Sequence, residues 1–475
     1  MFPILRLLRS LPVFVLVQIV GLLALLALRP WLMTEAEPDQ YIPLLTGLWL
    51  AICTLGYLVS YANRVTWTAV RTHLLDWLPE LWLTLAIASW TIGLRYQLLM
   101  LKGYVILAVV YALYHRRLYR LSSLHWLFVS FVLCSALGLL WGEYTEQGRK
   151  VLEVLIALAV LPLSSALMPI SPSRLPRISL WLCRLLFSFL TLQIAHYLYL
   201  SACYAQHLWD CFSFDKTYLL PLFEGVVHEK MMLWSVVVHP SWWLLFLTLP
   251  YMLQWQAWSE RKLGARSDEL GSDILSLAER VVYGMGLVLF AFITQPRYGL
   301  WVAFIALGWF PLQWLIARLP RRLTAASLVA LVWAFAFGIT WVVDLFQDEE
   351  RRAMLDKSFA YIQSAWPWGG GLGADTQLQL EEFAHRHSHN GLITMLVDMG
   401  LWGGLVWLGL LGGVVWLCLG RARRQNKPFL LFFFLLLLLL LIDSVLYVSI
   451  TVPLIALYVC LLGSWQERGA AEPLR

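Results

Sequence analysis

His389 stands where a polar, basic run, His385-Arg386-His387-Ser388-His389, gives way to a long apolar stretch. Imidazole titrates near neutral pH and is the usual general base. At such a boundary it would work at a membrane surface. Arg297 lies in Gln295-Pro296-Arg297-Tyr298-Gly299, a very short turn between two apolar runs. Pro and Gly pin such a turn, and the planar five-donor guanidinium fork suits a phosphate or diphosphate. The plainer readings are a helix-entry histidine and a snorkelling arginine.

Further polar candidates cluster on the same expected side of the chain. Lys230 follows His228 and Glu229, and His239 opens His239-Pro240-Ser241. Arg95, Arg149 and Lys150 sit in short turns, and Arg351 and Arg352 begin a long one. Together they would make a basic rim, which favours an anionic partner. His385, His387 and His389 form a His-x-His-x-His run, with Glu381 and Glu382 nearby. No fixed zinc spacing is matched, so no metal is expected. No Walker A run, dinucleotide-binding glycine pattern, serine nucleophile elbow or Cys/His dyad occurs. ATP-driven transport and hydrolase chemistry are thereby disfavoured, no cofactor is expected, and the energy of any reaction must enter with the substrate.

The elements that position these residues are membrane spans. The 475-residue chain is 60% hydrophobic and 13% charged, against about 25% charged in soluble domains. Its 26 Trp and 19 Tyr suit bilayer interfaces. The net charge of +6 is not read as nucleic-acid affinity. Apolar runs recur from about 12–33 to 446–463, enough for about 12–14 spans. The first is expected to be a span with a cytoplasmic N-terminus, not a cleavable signal. Arg and Lys gather in alternate loops: 64–71, 116–120, 174–177, 261–266, 318–322 and 421–427. The positive-inside rule makes that side cytoplasmic. Two long segments face the other way, 201–231 and 344–388, and long ordered loops tend to carry function. The expectation is one integral membrane domain over 1–475, an all-α polytopic transmembrane bundle. Cys53, Cys134, Cys183, Cys418 and Cys460 read as small core residues. Cys203 and Cys211 share one outward loop, where a disulfide is an open option.

His389-Asn390, nine residues, then Gly400-x-x-Gly403 resembles the motif of the O-antigen ligase family, which includes O-antigen polymerases and protein O-oligosaccharyltransferases. His389 matches the motif histidine, and Asn390, Gly400 and Gly403 match the rest. Trp366–Gly373 looks like the family's Pro-x-x-Gly-x-Gly turn, and His239-Pro240-Ser241 its His-Pro-Asn element. Arg297 resembles a family arginine in a turn before a span. The earlier loop, 201–231, lacks the arginine usual in the family and offers only Lys216 and Lys230. Gly400 and Gly403 read as small residues that let helices approach.

The resemblance implies a GT-C-like fold in the bacterial inner membrane with a large periplasmic loop before the motif helix. It implies a periplasmic active site and transfer of a glycan from undecaprenyl diphosphate to lipid A-core. His389 would be the base, and Arg297 would hold the diphosphate. Lys230, His239, Asn390 and Arg95 would bind substrate. The partners would be the lipid-linked glycan, the lipid A-core acceptor and membrane lipids, with no nucleic acid. The alternatives are an O-antigen polymerase, a protein O-oligosaccharyltransferase and, in a different class, a lipid-linked oligosaccharide transporter. A transporter should carry ionisable residues midway through its spans.

Overall fold

The computed structural model describes residues 67–91, 94–116, 121, 123–170, 174–204, 240–262, 274–294, 302, 307–308, 349–380, 390–420, 427–440 and 451–466. Among them are thirteen α-helices, one 3-10 turn and no strand. In chain order the helices are α1 Trp67–Ala88, α2 Leu94–His115, α3 Ser123–Leu137, α4 Thr145–Leu155, α5 Ala157–Leu167, α6 Leu175–Tyr204 and α7 Pro240–Lys262. Then come α8 Leu277–Thr294, α9 Glu349–Ser364, α10 Ala374–Leu380, α11 Gly391–Gly420, α12 Lys427–Leu440 and α13 Thr451–Gln466. Three described stretches are long and apolar enough to cross a membrane: Gln97–His115, Thr145–Leu167 and Gly391–Val414. The segment 344–388, read as a loop, is helical over α9 and α10. Cys183 and Cys460 are buried, and Cys134 is half-buried.

The chain forms two compact units, each of two segments: up to Tyr104 with Ser173–Ala303, and Val105–Pro172 with Phe304–Arg475. In the first, α6, α7 and α8 pack on one another and α1 packs on α6. Its core is aromatic. Trp90 meets Trp243 edge-on at 4.5 Å, and Tyr251 stacks on Tyr283 at 5.3 Å. Such pairs contribute about 0.5–1.5 kcal/mol beyond their burial.

Gln254 ties three helices of this unit together. Its amide donates to the Pro176 carbonyl and to Ser179 Oγ, both at 2.7 Å, and its oxygen accepts from the Leu275 N–H at 2.8 Å. The start of α6, the last turns of α7 and the approach to α8 therefore share one end. The basic runs 174–177 and 261–262 belong to that end. α8 begins with a capping box: Glu279 N–H donates to Ser276 Oγ at 3.2 Å, and Ser276 N–H donates to Glu279 Oε2 at 2.8 Å.

In the second unit α11 is the central element, with α3, α9, α10 and α12 packed on it, while α5 packs on α13 and α3. α4 is amphipathic: Gly148, Val151 and Leu155 are buried, while Arg149 and Lys150 are exposed. Replacing Gln254 with Leu should strand the buried Leu275 N–H and cost about 1–3 kcal/mol. The unfolding midpoint of detergent-purified protein checks this, and an unchanged midpoint would show that the three bonds contribute nothing net.

Candidate functional site

The site region is built around the first half of α11. Asn390 is its N-cap. The side-chain oxygen accepts from the Leu392 and Ile393 N–H groups at 3.0 and 3.1 Å, and its carbonyl accepts from Thr394 N–H at 2.9 Å. This satisfies donors that a helix start leaves open. The amide of the His-Asn pair is thus committed, through its oxygen, to starting the helix. Gly391 backs onto the end of α12, where an added Cβ would lie 3.2 Å from the Leu440 carbonyl oxygen.

Ten residues on, Gly400 breaks the helix with φ 59° and ψ −146°. L-residues with side chains rarely adopt that conformation. The ordinary bond from Leu401 N–H to the Val397 carbonyl is replaced by two others. Leu401 N–H donates to Pro367 O at 2.9 Å, and Val397 O accepts from Gly370 N–H at 2.9 Å. A Cβ on Gly400 would collide with the Pro367 carbonyl. The need for glycine here is backbone shape and the approach of a turn, where the sequence suggested helix–helix packing. Gly403 similarly faces the Met395 carbonyl of its own bent helix.

The partner turn is Trp366–Gly373, with a cis Trp366-Pro367 peptide. Gly371, at φ 88°, comes against the Gly142 backbone so closely that no side chain fits. Leu372 N–H donates to Gly138 O at 3.1 Å. The turn is therefore clamped between α11 and the 138–144 connection of α3 to α4. Trp366 and Trp368 remain exposed, with Trp141 edge-on to Trp368 at 6.4 Å and donating to its carbonyl at 3.2 Å.

Beneath the turn lies a buried polar group that the sequence reading did not single out. Asp398 Oδ1 accepts from Asp375 N–H at 2.7 Å, which caps α10. Asp375 Oδ2 accepts from Thr394 Oγ1 at 2.8 Å. Gln379 donates to Ser358 Oγ at 2.9 Å and, at the long limit of 3.5 Å, to Asp375 Oδ1. Ser358, Asp375, Gln379, Thr394 and Asp398 are all fully buried. A sequence signal existed. Asn390, Thr394 and Asp398 recur every four residues in an otherwise apolar helix, and so share one face.

Of the residues proposed from sequence, Asn390 is placed as described. Arg95 lies in the first turn of α2, in the other unit, with only its backbone described. His389, Arg297, Lys230 and His239 lie outside the described residues, as do His385, His387 and Cys211. Among the described residues no three His, Cys, Asp or Glu side chains converge on a common point. No protein-family model and no curated protein matches the chain.

Two substitutions separate backbone shape from polar satisfaction. Gly400→Ala should destabilise by about 2 kcal/mol or more, from left-handed strain alone. Asp398→Asn keeps an acceptor for Asp375 N–H and should cost little, whereas Asp398→Leu should cost about 1–3 kcal/mol. Equal midpoints for Asn and Leu at 398 would remove the capping role.

Proposed function

We propose that the protein is an inverting, metal-independent glycosyltransferase of the O-antigen ligase type. On this reading it is a polytopic, GT-C-like bundle of the bacterial inner membrane. It moves a glycan from undecaprenyl diphosphate to lipid A-core at the periplasmic face. What supports the reading is that the two described segments carrying the resemblance, Trp366–Gly373 and Asn390–Gly403, are bonded to each other through the break at Gly400. A local motif match would not require that. His389 directly precedes the Asn390 cap, at the end of a stretch long and apolar enough to cross a membrane.

In the proposed reaction an acceptor hydroxyl oxygen attacks the anomeric carbon as His389 takes its proton. The bond from that carbon to the diphosphate oxygen breaks with inversion, and its electron pair leaves with the diphosphate. Arg297 neutralises the leaving group. Lys230, His239 and Arg95 would add positive or polar contacts to the substrate. Asn390 contributes by fixing where α11 starts.

One observation favours the transporter reading: Asp398 is a buried carboxylate within an apolar helix, as ion pathways require. Its bond to the α10 N-terminus gives it a structural task instead, and the enzyme reading is retained.

His389→Ala should abolish glycan transfer by purified protein while leaving accumulation unchanged; near-normal transfer would sink the assignment. Arg297→Ala should reduce transfer about 10- to 100-fold, since a charge-assisted contact contributes roughly 1.5–3 kcal/mol. Arg297→Lys should recover only part of that, and EDTA should leave wild-type activity intact. Topology gives a separate check. Ser364, exposed at the end of α9, should, as Ser364→Cys in a cysteine-free background, react with a membrane-impermeant reagent in intact spheroplasts. Reaction only after lysis would reverse the orientation.

A further inference from the structure

At the shared end of α6, α7 and α8, one cation keeps guanidinium donors that find no acceptor among the described residues. Arg280, in the first turn of α8, is 2% exposed. Its guanidinium carbon lies 4.7 Å from the Trp255 ring centroid and 4.5 Å from that of Trp258. Both rings are partly exposed, so they hold the cation just below the surface. Cation–π contacts offset part of the cost of desolvating it. They do not use its N–H groups, and Nε and Nη1 are buried with no hydrogen-bond partner among the described residues. Guanidinium donors in such a position normally meet an anion or carbonyl.

Two described carboxylates of this unit, Glu279 and Glu80, are already engaged. Glu279 accepts from Arg184 Nε at 3.1 Å and Nη2 at 3.0 Å, and from Ser276 N–H. Glu80 pairs with Arg174. Both of these acids are matched by arginines, so neither is offered to Arg280. Arg261 and Lys262 end α7 at the same end of the unit. A buried guanidinium with open donors among apolar helices, at the end that the positive-inside rule would make cytoplasmic, suits an anionic lipid headgroup. Tryptophans at that level suit the interface.

We propose that Arg280, held between Trp255 and Trp258, binds the phosphate of an anionic phospholipid. The site recognises a phosphate anion through unpaired guanidinium donors, with the flanking rings covering the glycerol backbone. It owes nothing to the glycan-transfer reading and uses none of the residues assigned to that reaction.

The test uses full-length protein in detergent, titrated with dioleoylphosphatidylglycerol, dioleoylphosphatidylcholine or inorganic phosphate, with the unfolding midpoint as readout. Phosphatidylglycerol should raise the wild-type midpoint well above the phosphatidylcholine value. Its apparent affinity should fall about tenfold in Arg280→Gln, the loss expected for one charge-assisted contact. Arg280→Lys should fall in between, because an ammonium lacks the planar fork. A shift produced by inorganic phosphate and lost in Arg280→Gln supports the same site and assigns the anion to solution. Should Arg280→Gln not fold, Trp258→Ala keeps the cation and removes one ring, and the affinity loss should persist. Equal responses to the two lipids in wild type, or undiminished phosphatidylglycerol affinity in folded Arg280→Gln or Trp258→Ala, overturns the proposal.

Discussion

Leu401 cannot bond to Val397 because Gly400 turns the chain out of the helix between them. A helix interrupted in an apolar setting leaves a donor and an acceptor without partners, and each costs on the order of 1–3 kcal/mol if left so. The Pro367–Gly370 backbone supplies both missing partners. Much of the second unit follows from that exchange. The turn must lie against α11 at this level, so it must be glycine-rich to pass the Gly142 backbone on its other side. α9 must end, and α10 must begin, at the two ends of the turn. The 138–144 connection is then held by Leu372 N–H and by contact with Gly371.

The buried polar group completes this junction. α10 is only seven residues long, too short to be stable alone. Without Asp398 the buried Asp375 N–H in its first turn would lose its acceptor. Two carboxylates under one turn are costly to bury, and the cost is offset only because each accepts a defined donor. Asp398 takes the helix N-terminus and Asp375 takes Thr394. Cores satisfied in this way specify one arrangement more sharply than apolar packing does. The helix register that places Thr394 and Asp398 also fixes Asn390, four residues before Thr394.

The helical class was legible in the sequence because apolar runs of span length leave few alternatives. Trp366–Gly373 and Asn390–Gly403, which the fold bonds to each other, stood out in the sequence too, since glycine density and a polar-to-apolar switch are local signals. The reason for Gly400 was not. Small-x-x-small spacing fits helix packing equally well, and only the approach of Pro367 from 33 residues earlier reveals a backbone break. Asp375 and Asp398 escaped notice for a similar reason. A lone aspartate in a polar loop and another in an apolar helix look unrelated until the fold joins them across 23 residues. Gln254 likewise reads as one polar residue in a tryptophan-rich run, although it joins three helices.

The break also divides α11 by environment. Residues 391–400 are buried or half-buried, covered by neighbouring helices. The exposed large apolar side chains of α11 all follow the break: Leu401, Trp402, Leu405, Leu408 and Trp416. At about 1.5 Å per residue, the stretch from Leu401 to Gly420 is about 30 Å long, enough to cross a hydrocarbon core by itself. Exposed Trp366, Trp368 and Trp402 gather at the level of the break, where an interfacial aromatic belt would lie. Irregular backbone and buried carboxylates are tolerated at or above such a boundary and are costly below it. The length and exposure arguments therefore agree. The post-break helix carries the exposed apolar surface, and the pre-break helix, covered by neighbouring helices, places Asn390 about 15 Å from the break. A side chain next to the Asn390 cap would stand on a rigid, capped element, which favours positional precision.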